Sequence, residues 1–220
     1  ACASIVAMIS SRAYFRLIRY VAIRRISSSV RFVGGMPPPG VAAPGLSAPA
    51  RALPEDGSGS VMGEIVEYAS NGSSAEGYLA VPESGRGPGV IVIQEWWGLV
   101  PHITGVADRF AEAGFVALAP DLYHGEKASE PDHAGKLIMG LAMDQAARDI
   151  AGAAEHLAGV TGATSGKVGC VGFCAGGSLA LWSATLSDRI VATAGFYPVL
   201  PWERMRPDWS GYAGTAAVIH

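Results

Sequence analysis

The chain has 220 residues, half of them hydrophobic and 16% charged, which allows one domain with a sizeable core and a tail. No stretch is long and apolar enough to cross a membrane, and three cysteines (Cys2, Cys170, Cys174) do not suggest a disulfide framework. The net charge of −3 is unevenly spread: residues 1–54 hold seven arginines, no lysine and no acid, so 55–220 carry nine bases against nineteen acids, and an acidic body argues against nucleic-acid binding.

In chain order, residues 1–33 are apolar, Arg- and Ser-rich and free of acid. Tyr14, Leu17, Ile18 and Val21 share a helical face opposite Arg12, Arg16 and Arg19, although Arg24 and Arg25 break the pattern. Residues 34–60 are rich in Gly, Pro, Ala and Ser and read as a flexible linker. Three readings of residues 1–60 stand open: an organelle-type transit peptide, a basic amphipathic surface anchor, or upstream sequence carried in frame. The chain opens on alanine, which favours the third. The domain is expected over 61–220.

Val61 to Ala69 alternates as a strand, Asn71-Gly72 is a hairpin turn signal, and Ala75 to Val81 returns as a second strand. Val90 to Ile93 is a continuous β-branched run, as in a strand buried on both faces. Pro101 to Ala113 reads as a helix ended by Gly114, and Phe115 to Ala119 as a strand stopped by Pro120. A polar loop spans 121–134. Lys136 to Leu157 reads as one helix with Asp144, Arg148 and Asp149 on solvated faces. Lys167 to Val171 is a strand, Gly176 to Leu186 a helix, and Ile190–Ala194 and Thr215–Ile219 are further strands. A hairpin followed by alternating strands and helices predicts an α/β protein with a mostly parallel, doubly wound sheet. Ligands of such sheets sit beyond the carboxyl ends of the strands.

The stretch Gly172-Phe173-Cys174-Ala175-Gly176-Gly177 joins the strand Lys167 to Val171 to the helix that follows it. A G-x-nucleophile-x-G turn in that context is a nucleophile elbow, with cysteine as the nucleophile. Its glycines are read as steric, because a strand reversing into a helix leaves no room for Cβ atoms. The turn puts Cys174 at a helix N-terminus, where orphan N–H groups and the macrodipole favour a thiolate. Cys170 reads as a core thiol. Four residues of strand separate its Cα from that of Cys174 by about 13 Å, beyond disulfide reach. A reducing cytoplasm is the expected compartment.

Three motifs in order, Gln94-Glu95-Trp96-Trp97-Gly98, Ala119-Pro120-Asp121-Leu122-Tyr123 and the cysteine elbow, resemble the dienelactone hydrolase family of the α/β-hydrolase superfamily, over about Met62 to His220. The resemblance implies an α/β-hydrolase fold and a Cys-His-Asp triad with Cys174 as nucleophile. It implies that Glu95 hydrogen-bonds the resting thiol and that the backbone N–H groups of Ala175 and Trp96 form the oxyanion hole. It also implies that the acid follows the strand at 215–219 and that the histidine comes later still. On that basis the last strand and helix of the fold and the triad's acid and base are expected outside this chain, with little or no turnover from the 220 residues. His220 ends the strand that should precede the acid and is not read as the base. Members that cleave dienelactones carry an arginine after the Pro-Asp-Leu-Tyr motif. Here the chain reads Tyr123-His124-Gly125-Glu126, which argues against a carboxylated lactone.

Trp97, Tyr123 and His124 are the candidate substrate-binding residues, on loops at the active-site end. Trp96 and Trp97 could equally be core packing, and His124 a solvated loop residue. Asp121, following Pro120, is read as bracing its turn through Asx-type bonds. His102, His133 and His156 read as surface residues. No spacing suggests a metal site, and no cofactor is expected. The expected function is hydrolysis of a small-molecule ester or lactone through a cysteine nucleophile, with no nucleic-acid or membrane partner for the domain. The competing reading is a non-catalytic thiol-bearing binding protein on the same fold. A redox sensor would need a resolving cysteine, for which Cys170 is badly placed.

Overall fold

A computed structural model describes residues 62–159 and 163–198, without the side chains of 163–165. The readings made for residues 1–60, for the strand at 215–219 and for Cys2 and His220 lie outside the described residues.

Asn71 and Gly72 take positive φ angles of 37° and 95°, the left-handed pair that a two-residue hairpin turn requires. They join β1 (Glu64–Ser70) to β2 (Ser73–Ala80), antiparallel from Glu64↔Leu79 to Ser70↔Ser73. The hairpin is followed by β3 (Gly87–Ile93), α1 (Pro101–Glu112) and β4 (Val116–Pro120). Then come α2 (Pro131–Gly140), α3 (Met143–Gly159), β5 (Ala163–Phe173), α4 (Ala175–Ser183) and β6 (Ile190–Phe196).

The described strands form one sheet in the order β1-β2-β4-β3-β5-β6. β4, β3, β5 and β6 run parallel, and β2 joins β4 antiparallel, so the hairpin extends one edge of a parallel core. Ile91 and Ile93 join one core cluster with residues of α3 and α4. Val90 and Val92, also buried, point to the opposite face by strand alternation. There α1 buries Ile103, Val106 and Phe110 and packs on β4, β2 and β3. Helices therefore cover both faces, which is why β3 reads as an unbroken apolar run. Chain order reverses at β3, with β4 on one side and β5 on the other. That opens a crevice at the carboxyl ends of the central strands.

The single helix expected from Lys136 to Leu157 is two helices. Pro131 at the first turn starts α2 earlier, after Glu130 in extended conformation. Leu141 then leaves helical geometry at φ −57°, ψ 120° and is buried in the core beside Ile138. A second correction concerns Asp149, expected on a solvated face and in fact fully buried. Its Oδ1 accepts hydrogen bonds from Ser70 Oγ at 2.6 Å and from Gln145 Nε2 at 2.7 Å, which ties α3 to the end of β1.

Candidate active site

The path of the chain into Cys174 is forced. β5 ends at Phe173, α4 begins at Ala175, and the one residue between them must reverse direction. Cys174 does so at φ 54°, ψ −120°, a conformation that costs a non-glycine residue about 1–3 kcal/mol and clusters at functional sites. Neighbouring backbone holds it there. Cys174 N–H donates to Phe196 O at 3.0 Å, and its carbonyl accepts from the N–H groups of Gly177 at 3.0 Å and Ser178 at 3.3 Å. A Cβ on Gly172 would overlap the Gly176 carbonyl, and one on Gly176 would overlap the Gln94 carbonyl. The steric reading of the elbow glycines therefore holds, and it shows that β3, β5 and α4 meet there backbone to backbone. Cys174 is the N-cap residue of α4, partly exposed, and its side chain makes no capping hydrogen bond.

Cys170 is buried within β5, as expected. Burial pushes its thiol up to about 12, against a hydrogen bond with Ser183 that pulls the other way. Neither described cysteine is in a disulfide.

Glu95 is the second residue of the loop after β3, at the same end of the sheet as the elbow. Its Oε1 accepts a 2.9 Å hydrogen bond from the Tyr197 hydroxyl. Tyr197 follows Phe196, whose carbonyl holds the Cys174 N–H, so Glu95 and Cys174 are braced by two consecutive residues at the end of β6. Tyr197 has a positive φ of 40°. The sequence reading missed it. Its signal was its place just beyond a buried strand, but its partner lies more than a hundred residues away. Trp96 and Trp97 pack edge to face at 5.1 Å. The Trp97 carbonyl accepts the Ala128 N–H at 3.0 Å, which ties the loop after β3 to the loop after β4.

The loop after β4 is built around Asp121. One carboxylate oxygen accepts the Tyr123 N–H at 3.1 Å and the other the Gly125 N–H at 2.8 Å. These are the Asx-type bonds expected. The Leu122 N–H donates to Gln94 Oε1 at 3.2 Å. The loop then turns through His124 and Gly125, both at positive φ. Tyr123 and His124 point to different surroundings. The Tyr123 ring lies against Gly98, and its buried hydroxyl has no hydrogen-bond partner among the described residues. Burial, and then the proximity of Cys174, raise the Tyr123 phenol well above its usual range. The His124 imidazole, by contrast, is turned to the buried Asp149 of α3, with Nε2 3.0 Å from Oδ2. Among the described residues no three His, Cys, Asp or Glu side chains gather as a metal site would require. Among the same residues no helix is long and apolar enough to cross a membrane.

The dienelactone hydrolase family model matches residues 75–211. This chain belongs to the dienelactone hydrolase family. Its fold is accordingly the α/β-hydrolase fold, as the motif resemblance implied. It is 43% identical over 143 residues to the protein named usf of Aquifex pyrophilus, covering 62% of each chain. It is 37% identical over 139 residues to a carboxymethylenebutenolidase of a Pseudomonas species, covering 60% of this chain and 58% of that one. A crystal structure of a dienelactone hydrolase-like promiscuous phosphotriesterase from metagenomic libraries matches with 27% identity and a TM-score of 0.52. That match covers 59% of this chain and 56% of the other. This dienelactone hydrolase family chain thus spans less than two thirds of the length of the curated relatives it matches.

Proposed function

We propose that this protein hydrolyses ester or lactone bonds of small molecules, with Cys174 as the nucleophile. The observation that carries the reading is the strained φ of Cys174 at the N-cap of α4, in a turn where a Cβ on either flanking glycine would overlap neighbouring backbone. Strain of this kind persists only where surrounding structure over-determines it. In the proposed reaction the Cys174 thiolate attacks the carbonyl carbon, the C–O bond breaks and the leaving oxygen takes a proton from a protonated base or solvent; water then attacks the acyl-thioester, releasing the carboxylic acid and regenerating the thiolate. The N–H groups of Ala175, first in α4, and of Trp96, after β3, receive the oxyanion. Such donors are worth most when fixed in place before charge develops. The family resemblance assigns Glu95 to the control of the thiol's ionisation, and Tyr197 donates a hydrogen bond to that carboxylate. Trp97 and Tyr123 line the substrate side. His124, engaged by Asp149, braces the loop that carries Tyr123. The related carboxymethylenebutenolidase supports the lactone or ester class. The absence of an arginine in Tyr123-His124-Gly125-Glu126 disfavours carboxylated lactones. Cytoplasmic residence is proposed only on the described cysteines being outside any disulfide.

The test is acylation by an activated acetate ester, read by phenolate release and by mass spectrometry of the Cys174 peptide. One equivalent of label on Cys174, abolished in Cys174→Ala and retained in Cys170→Ala, is the expected result. No acylation of Cys174 would overturn the reading and favour a thiol-bearing binding protein. Turnover is compared with a chimera extended past His220 by the corresponding segment of the Aquifex relative. The resemblance predicts that turnover rises in the chimera, and equal Cys174-dependent rates in both would place the acid and base within these 220 residues.

A further inference from the structure

Two buried hydrogen-bond donors at the carboxyl end of the sheet have no hydrogen-bond partner among the described residues, Gln94 Nε2 and the Tyr123 hydroxyl. Gln94 is already committed. Its Oε1 holds the Leu122 N–H, and its backbone carbonyl packs against Gly176 of the elbow. That residue therefore fixes the spacing between the Asp121–Gly125 loop and the nucleophile. The hydroxyl of Tyr123, one residue further along the loop, has no acceptor among the described residues. Burying a hydroxyl without a hydrogen bond is unfavourable, and phenylalanine would fill the same volume without that cost. The ring is fixed by Gly98, and its backbone N–H is held by Asp121. The hydroxyl position is thus set by the loop and not by a partner of its own.

We propose that Tyr123 is a hydrogen-bond donor to the anion formed at Cys174, holding the thiolate in readiness for attack. This rests on the reading of Cys174 as nucleophile and adds a residue to that site. When Cys174 ionises, its Sγ–H proton leaves for solvent or a base, and Tyr123 keeps its own proton. No covalent bond to Tyr123 forms or breaks. The bond to the anion is charge-assisted, stronger than any the hydroxyl would make to a neutral thiol. Burial and the neighbouring Cys174 both keep the phenol protonated, and hence a donor, across the range in which a thiol titrates. The other titratable groups on the described loops around the elbow are Glu95 after β3, Asp121, His124, Glu126, Lys127 and Glu130 after β4, and Tyr197 after β6; His124 is turned to Asp149. Asp121 is spent on two backbone N–H groups, and Glu95 on Tyr197.

The experiment is the pH dependence of iodoacetamide alkylation at Cys174 in the full 220-residue chain, quantified by mass spectrometry of the Cys174 peptide, with glutathione as a free-thiol reference. In Tyr123→Phe the midpoint is expected to rise by about one pH unit, a roughly tenfold slower reaction below both midpoints, with the high-pH plateau unchanged. A purely structural role for the ring would leave the midpoint where it is. If Tyr123→Phe does not fold, 3-fluorotyrosine at position 123 keeps the shape and strengthens the donor, and the midpoint is expected to fall. Glu95→Gln measured in parallel separates that carboxylate's contribution. Fast alkylation of the wild type with an unmoved midpoint on changing Tyr123 overturns this proposal alone. Alkylation of wild-type Cys174 no faster than glutathione at every pH overturns the nucleophile reading and this proposal together.

Discussion

Gly176→Ala and Gly105→Ala are the same chemical change, one methyl group on a helical glycine, with opposite expected outcomes. At Gly105, within α1, nothing lies within 4 Å of the new Cβ. The substitution there gains helix propensity and is expected to stabilise by about 0.8–1 kcal/mol. At Gly176 the new Cβ would overlap the Gln94 carbonyl and lie 2.8 Å from the Ile93 carbonyl. Both obstacles are backbone of the central strand β3 and its exit, so no side chain can rotate away. Helix propensity would still favour alanine by about 1 kcal/mol, but overpacking typically costs about 1–3 kcal/mol and more where backbone must move. The net expectation is a loss of roughly 2 kcal/mol or more, out of a total of about 5–15 kcal/mol for a domain. Urea unfolding reads both variants: the midpoint rises for Gly105→Ala and falls for Gly176→Ala. The alkylation rate of Cys174 is expected to fall in Gly176→Ala at denaturant-free conditions, because α4 and its N-cap shift. A Gly176→Ala protein with the wild-type urea midpoint and wild-type Cys174 reactivity would refute the view that backbone contact fixes the elbow.

Asp149→Ala removes two hydrogen bonds to a buried carboxylate, from Ser70 and Gln145, and is expected to cost about 3 kcal/mol in urea unfolding, since bonds to charged groups are worth about 1.5–3 kcal/mol each. Phe110→Ala empties a fully buried site beneath Phe115, and a loss of roughly 3–5 kcal/mol is expected by the same measurement. His156 lies against the Tyr68 ring, and burial lowers its proton affinity below the ordinary 6.5. The unfolded chain therefore binds that proton more readily, so stability falls as pH drops below 6.5 and not above it. His156→Gln should lessen the decline in urea midpoint between neutral and mildly acid pH. Cys170, buried and with its thiol pushed up to about 12, should stay unlabelled at pH 8 until urea is added, whereas Cys174 reacts in the folded protein.

What the sequence made legible was local. Asn71-Gly72 announces its hairpin because the turn needs two positive φ angles, and Gly172 and Gly176 announce the elbow because the close approach needs hydrogens in place of side chains. Asp121 was readable as a brace for a similar reason, since the two N–H groups that donate to its carboxylate lie within four residues. The break between α2 and α3 was less so. Helical periodicity runs through Leu141, and only the burial of that side chain explains why the backbone departs there. The partners of Asp149 and Tyr197 were not legible. A carboxylate on an amphipathic helix looks solvated until β1 brings Ser70 to it, and Tyr197 acquires a role only when the sheet sets β6 and β3 on either side of β5. Their partners are chosen by topology, not by neighbours in the chain.

The sheet order also has a kinetic consequence. The hairpin can close on its own two-residue turn, but β3 meets β5 only when Gly89 reaches Val168, across a loop containing three helices and a strand. Closing a loop of that length carries an entropic cost that local contacts do not repay, and non-local parallel pairing is intrinsically slow. Cys174 takes up its strained backbone only when Phe196, Gln94 and Gly176 are all in place. The reactive thiol is thus among the last features of the protein to assemble, and its alkylation rate during refolding would report the closing of the sheet's centre.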